Sequence, residues 1–225
     1  MKLHYHPVST TSRPILLFVQ ENNLPVELKV VDLMTGEHVQ EPYTQLNPNQ
    51  LVPLLEEGNF RLTESAAILK YLAEKFESPL YPRDLQKRAK VNEAMDWLNT
   101  QLNRELCYGL VYPQVFPHHK RPSDDVQSAT LAWSKERATK WLSILDEHIL
   151  GSDQRYLAGN ELTIADYYAT GFVSLGELIR VDYKQFPNLN RWLEQVKKEI
   201  KSYAKVNEVF YGFAGSLKDQ AFASI

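Results

Sequence analysis

Residues 2–31 read KLHYHPVSTTSRPILLFVQENNLPVELKVV. Lys2 to Tyr5 is a short strand candidate. From Ser12 to Asn22, the residues Ile15, Leu16, Phe18 and Val19 fall at helical spacing, and Pro14 sits near the start, where a proline is tolerated. Asn22-Asn23-Leu24-Pro25 ends that helix. Val26 to Val31 then reads as a strand, because Val26, Leu28 and Val30 alternate with polar or charged residues. The stretch therefore predicts one parallel strand–helix–strand unit.

Working outward, Leu54-Leu55-Glu56 and Phe60-Arg61-Leu62 form a hairpin about a turn at Glu57-Gly58. Thr63 to Phe76 is a helix with Ala66, Ala67, Leu69, Tyr71 and Leu72 on its apolar side. Between the two halves, Asp32 to Gln50 shows little regular pattern, and a loop that long is usually functional or mobile. A parallel unit followed by an antiparallel hairpin and a helix is the thioredoxin-like arrangement, βαβαββα. Glu77-Ser78-Pro79-Leu80-Tyr81-Pro82 reads as linker, and beyond it the strand signal disappears. Leu85–Tyr112, Ser123–Leu150, Thr163–Ile179 and Asn188–Ile200 are helical patterns, with Pro113, Pro117 and Pro122 as interruptions. No shape is predicted for the last fifteen residues. The expected division is 1–78 as a mixed α+β domain, 79–88 as linker and 89–225 as an all-α helical bundle.

Composition narrows the function. The chain has 225 residues, 44% hydrophobic and 24% charged, with a net charge of −3. That is an ordinary globular balance without the basic face a nucleic-acid binder needs. No stretch approaches the ~18 apolar residues of a membrane helix, and the start Met1-Lys2-Leu3-His4-Tyr5-His6-Pro7 has no secretory h-region. A single cysteine, Cys107, excludes an internal disulfide and a Cys-x-x-Cys pair. The expectation is a cytoplasmic protein that engages neither nucleic acid nor membrane.

Four motifs carry the chemistry. Ser9-Thr10-Thr11-Ser12 occupies the strand-to-helix turn where a redox thioredoxin fold holds two cysteines. A hydroxyl there can donate to a ligand sulfur; it can equally cap the helix. Ser12, a turn further on, suits capping, so Ser9 is the preferred ligand-facing hydroxyl. Val52-Pro53 stands at a strand entry, as a proline must. Thr63-Glu64-Ser65-Ala66 opens a helix whose first amides favour an anion, while Glu64 can take an ammonium; an acidic capping turn is the other reading. Thr163-Ile164-Ala165-Asp166 is a capping box, structural in role.

Together with Arg13, Gly36-Glu37-His38, Asn47-Pro48, Tyr81-Pro82 and Leu157-Ala158-Gly159, these motifs resemble the cytosolic glutathione S-transferases, theta class and its bacterial relatives. The order holds from about residue 3 to about residue 200, and Leu24-Pro25-Val26-Glu27-Leu28 through Val31-Asp32-Leu33 is especially theta-like. The resemblance implies glutathione as co-substrate and no prosthetic group or metal. It implies Ser9 as the catalytic residue that stabilises the thiolate, with His38 at the glycyl end. Val52 would meet the cysteinyl part with its backbone, helped by a cis-Pro53, and Glu64 and Ser65 would hold the γ-glutamyl head. Leu51 stands where the family often has a lysine, which removes one positive partner of the glycine carboxylate. Arg104 falls where the family can place an arginine near the cleft.

The second partner would be a small hydrophobic electrophile, against Tyr108, Tyr112, Val115 and Phe116. For most residues of a helical bundle, core packing is the alternative account. Cys107 reads as a packed side chain, and His118-His119 as a solvated loop. A homodimer with a detoxifying role follows from the resemblance. Two other readings stay open: a non-catalytic binding or scaffold protein on the same fold, and a glutathione-dependent dehalogenase, peroxidase or isomerase on the same site.

Overall fold

The computed structural model describes all 225 residues. Strand β1 (Lys2–Tyr5) leads through a turn into helix α1 (Arg13–Glu21), and β2 (Glu27–Val30) returns parallel to β1, with Lys2 opposite Glu27 and Tyr5 opposite Val30. Strands β3 (Leu54–Glu57) and β4 (Phe60–Leu62) form the hairpin, and β3 runs antiparallel to β1. The sheet order is β2-β1-β3-β4. The hairpin turn falls one residue later than expected, at Gly58-Asn59, because Glu57 still pairs with Phe60. Helix α3 (Ser65–Lys75) completes the thioredoxin-like half.

The segment from Asp32 to Gln50 is more regular than its sequence pattern indicates. It contains a one-turn 3-10 helix (Glu37–Val39) and helix α2 (Tyr43–Leu46). Its order comes from a local cluster in which Val31, Tyr43 and Val52 pack with Leu33 and Leu46. Too few apolar residues carry that cluster to register as periodicity.

From Leu85 onward the chain is helical. Helix α4 (Leu85–Trp97), capped by Asp84 on the amides of Gln86 and Lys87, continues without a break into a wider i→i+5 turn (Leu98–Val111) and then α5 (Tyr112–Val115). Pro113 does not interrupt this helix. A proline frees carbonyls in the preceding turn, and here Arg121 donates to Tyr108 O at 3.2 Å while Gln114 Nε2 donates to Leu110 O at 2.8 Å. Helices α6 (Asp124–Ile144), α7 (Ile164–Leu175), α8 (Pro187–Glu199), α9 (Tyr203–Val206) and α10 (Glu208–Ser216) complete the bundle. The closing residues are held in place: Arg180 donates to the carbonyls of Leu217, Lys218 and Gln220, and Gln114 pairs with both backbone groups of Ala223.

α7 is buried along its whole length and forms the centre of the molecule. It touches α1 and α3 on one side and α4 and α8 on the other. Two features bring it close to the first half. Gly171 lies so near the turn after β1 that a Cβ there would stand 2.2 Å from Thr10 O. Arg13, 1% exposed, reaches from α1 to Ser174 Oγ (2.8 Å), Gly171 O (3.1 Å) and Asn207 Oδ1 (2.7 Å), with its guanidinium over the Phe210 ring. One continuous apolar core, from Leu3 and Ile15 to Trp192 and Phe210, runs through both halves.

Candidate active site

Ser9 lies in the turn between β1 and α1. Its Oγ accepts the Ser12 amide at 3.2 Å, and its carbonyl accepts the Arg13 amide at 3.1 Å. Ser9 therefore does the capping expected of Ser12. An acceptor role leaves its own proton free to donate. Ser12 is a correction: its hydroxyl is fully buried, caps nothing and finds no partner, so it faces neither ligand nor helix end.

Beside this turn lies a cavity of about 140 Å³. Thr11, Leu51, Val52, Pro53, Glu64 and Ser65 line it from the sheet side, and Asn99, Asn103 and Tyr108 from the helical side. The Val52–Pro53 peptide is cis. The Val52 carbonyl accepts Thr11 Oγ1 at 3.2 Å, and its N–H finds no backbone acceptor. The Leu51 carbonyl is fixed by Tyr43 Oη and Asn47 Nδ2, while its side chain is exposed.

Glu64 is held at φ +65°, ψ 112°, a region few non-glycine residues adopt and one that clusters at ligand clamps. It makes no capping bond, which removes the capping account of this motif. The helix starts at Ser65, and its first bond is from Ile68 to Glu64 O. The amides of Ser65, Ala66 and Ala67 are thus left for an anion, with the field of α3 behind them. Ser65 is buried beside Tyr168, whose phenol burial pushes up to about 12.

Two residues that sequence reading missed complete the helical wall. Asn99 and Asn103 sit one turn apart, with Asn103 Nδ2 donating to Asn99 Oδ1 at 3.1 Å. Asn103 is 7% exposed, and its Oδ1 is buried without a partner. Arg104 is a second correction. It does not line the cavity; its guanidinium pairs with Glu105 at 2.9 Å, which Arg137 also holds at 2.9 Å. Asn103 stands on the Asn99 face of this helix, four residues on, and that face rather than the Arg104 side meets the cleft. His38 is not on the cavity wall either. It sits half-buried on the 3-10 turn with Nδ1 unpartnered, near His6, whose ring pKa is lowered first by burial.

Past Tyr108 lies an aromatic cluster. Tyr108 meets Tyr112 edge-on (4.8 Å between centroids), Tyr112 meets Phe116 (5.3 Å) and His119 (4.9 Å), and Phe116 stacks on Phe213 (6.0 Å). Tyr112 donates to Thr10 Oγ1 at 2.9 Å, which ties this cluster to the Ser9 turn. Burial raises the pKa of both tyrosines and lowers that of His119, so the cluster is uncharged at neutral pH. Tyr108 is 44% exposed and Tyr112 and Phe116 half-buried, which makes them a wall rather than a core. His119 and Phe213 are the members the sequence did not indicate. Cys107 is buried on the far side of the same helix, and burial raises its thiol pKa.

Comparison with known proteins follows the same outline. Residues 1–74 match the family described as glutathione S-transferase, N-terminal domain, and residues 112–199 match glutathione S-transferase, C-terminal domain. Human glutathione S-transferase theta-1 is 35% identical over 205 residues, covering 89% of this chain and 83% of the relative. Human glutathione S-transferase theta-2 is 33% identical over 210 residues, covering 88% and 80%. Among solved structures, human glutathione transferase theta-2 in complex with glutathione and an unknown ligand superposes with a TM-score of 0.83 at 27% identity, covering 100% of this chain and 93% of that one. An epsilon-class enzyme from the housefly, Musca domestica, gives 0.79 at 29% identity, with 99% of each chain covered.

Proposed function

This chain belongs to the glutathione S-transferase family and is a glutathione transferase, and on that premise we propose that Ser9 is the hydroxyl that holds glutathione as its thiolate. The observation that carries the assignment is the Ser9 hydroxyl itself. The Ser12 amide occupies one of its lone pairs at 3.2 Å, and its proton has only Thr11 Oγ1, at a long 3.3 Å, as a protein partner. A free thiol has a pKa near 8.5. Lowering it by about two units takes roughly 2.7 kcal/mol in favour of the anion. A hydrogen bond to a charged group is worth about 1.5–3 kcal/mol, and a helix N-terminus adds about 0.3–1. One hydroxyl and the start of α1 meet that requirement by electrostatic preorganisation, with no base involved.

In this reading Val52 receives the cysteinyl backbone. Ser65 and the free amides of α3 hold the γ-glutamyl carboxylate. Glu64 and the unpartnered Asn103 Oδ1 hold the ammonium, and His38 meets the glycyl end. The electrophile, small and hydrophobic, lies against Tyr108, Tyr112 and Phe116, with His119 and Phe213 behind. We take 1–78 as the glutathione-binding domain, 79–88 as the linker and 89–225 as the helical domain. The protein works as a detoxifying homodimer in the cytoplasm, where reduced glutathione is the thiol pool. Exposed Phe60 on the hairpin and Trp133 on α6 support association. No helix is long and apolar enough to cross a membrane. No observation favours the scaffold, dehalogenase or peroxidase alternatives.

The test is conjugation of glutathione to an activated aryl halide by the purified protein, with a pH titration of the bound thiolate's ultraviolet absorbance. Ser9→Ala raises the bound thiol's pKa by about 1–2 units, matching the loss of one charged hydrogen bond, and leaves affinity for S-methylglutathione nearly unchanged. An unshifted titration removes Ser9 from the mechanism.

A further inference from the structure

Thr11 lines the cavity, and its Oγ1 stands between two groups the reaction needs. It is 3.3 Å from Ser9 Oγ and donates to the Val52 carbonyl at 3.2 Å. A threonine hydroxyl has one proton. While that proton is on Val52 O, Thr11 can only accept from Ser9, so the Ser9 proton points at Thr11 and not into the cleft. We propose that Thr11 is a positioning residue that couples occupancy of the Val52 carbonyl to the donor strength of Ser9, a step that rests on the assignment of Ser9 above.

The cysteinyl N–H of glutathione shares the two lone pairs of the Val52 carbonyl with Thr11 and weakens the 3.2 Å bond from Thr11. The other acceptor within reach of Thr11 is Ser9 Oγ at 3.3 Å. Rotation of the Thr11 hydroxyl then reverses the bond, and Ser9 accepts from both Thr11 and the Ser12 amide while giving its own proton to the sulfur. Chained hydrogen bonds polarise one another, so the Ser9 hydroxyl becomes a stronger donor when the substrate backbone is seated. No covalent bond changes except that the thiol proton leaves to solvent. The hydroxyl pair thus distinguishes glutathione from a thiol that lacks the backbone amide.

The experiment titrates bound glutathione thiolate in the wild type, Ser9→Ala, Thr11→Val, Thr11→Ser and the Ser9→Ala/Thr11→Val double variant. S-Methylglutathione affinity is measured in each. Thr11→Val keeps the shape of the side chain and removes the hydroxyl. It raises the bound thiol's pKa by about 0.5–1 unit, a roughly 1.5- to 3-fold loss of thiolate at neutral pH from a starting pKa near 6.5, with S-methylglutathione affinity held within about two-fold. Thr11→Ser titrates like the wild type. In the Ser9→Ala background Thr11→Val adds no further shift, since the effect runs through Ser9. A normal titration of Thr11→Val beside a shifted Ser9→Ala overturns the coupling and leaves the Ser9 assignment standing. Additive shifts overturn it too, because Thr11 would then face the sulfur itself, and so does a parallel fall in S-methylglutathione affinity. An unshifted Ser9→Ala overturns both assignments.

Discussion

Leu51 ends in solvent at the rim of the cleft, 57% exposed, with its carbonyl anchored by Tyr43 and Asn47. A lysine fits there without disturbing the backbone. Leu51→Lys lowers the KM for glutathione about two- to five-fold, the worth of an exposed ion pair with the glycine carboxylate. The gain fades as salt is raised; steady-state kinetics at low and high ionic strength decide it, and a salt-independent gain means the lysine acts otherwise. The residues legible in the sequence, Ser9, Val52, Glu64 and Ser65, all sit at element junctions, where local chemistry marks a special position. Asn103 carries no such mark, and Thr11, although it lies in the same turn as Ser9, gives no local sign of its own role. Asn103 lies four residues after Asn99, an ordinary same-face spacing, and nothing in its local sequence marks that face as the wall of a cleft. Thr11 matters through an oxygen forty-one positions away.

At the scale of elements, α7 shows how a short motif sets a long burial. Asp166 accepts from the Thr163 amide (2.9 Å), the Thr163 hydroxyl (3.1 Å), the Leu157 amide (3.0 Å) and Trp192 Nε1 (2.9 Å). Burial pushes its carboxyl pKa up against four donors that favour the anion. Thr163→Ala removes one cap, costs about 0.5–2 kcal/mol and lowers Tm by roughly 2–8 °C. Asp166→Ala orphans three buried N–H donors at about 1–3 kcal/mol each, a large share of the ~5–15 kcal/mol that holds a protein folded. Thermal melts should separate the two: a modest shift for the first, failure to accumulate as folded protein for the second. Comparable melts would show that the side chain of Asp166 is no hub. The cap is readable because it spans four residues. The continuity of the helix through Pro113 is not, since the groups that restore its bonds include Arg121 from the loop beyond.

Across the whole molecule the two halves share one core, and charges inside it are few. His6 just after β1 and His119 in the aromatic cluster are both held below the ordinary pKa of 6.5 by burial. Unfolding frees them to bind protons. The unfolded chain therefore takes up more protons once the pH drops below about 6.5, and stability falls with further acidification. More than about a unit above that pH the two histidines contribute little slope. Tm measured from pH 7.5 to 5.5 should decline over the lower part of the range. His6→Asn, which keeps an acceptor for the Val8 amide, should decline less steeply; an equal slope would exclude His6 as a source. The plan of a mixed half followed by a helical half was visible in the sequence because each half has its own periodicity. The joint between them was not, because the partners of Arg13, which are Ser174, Gly171 and Asn207, lie more than 150 positions away.

The near contact of Gly171 with Thr10 O bears on how such a protein can be altered. The hydroxyl turn rests against a helix that contributes no residue to the cavity wall, at a point where the absence of a side chain sets the spacing. Any side chain at 171 would push that turn forward. A designer who enlarges the aromatic pocket for bulkier electrophiles is free to vary its front wall. The heel behind the turn has to stay bare, because the aim of the serine is adjusted from there.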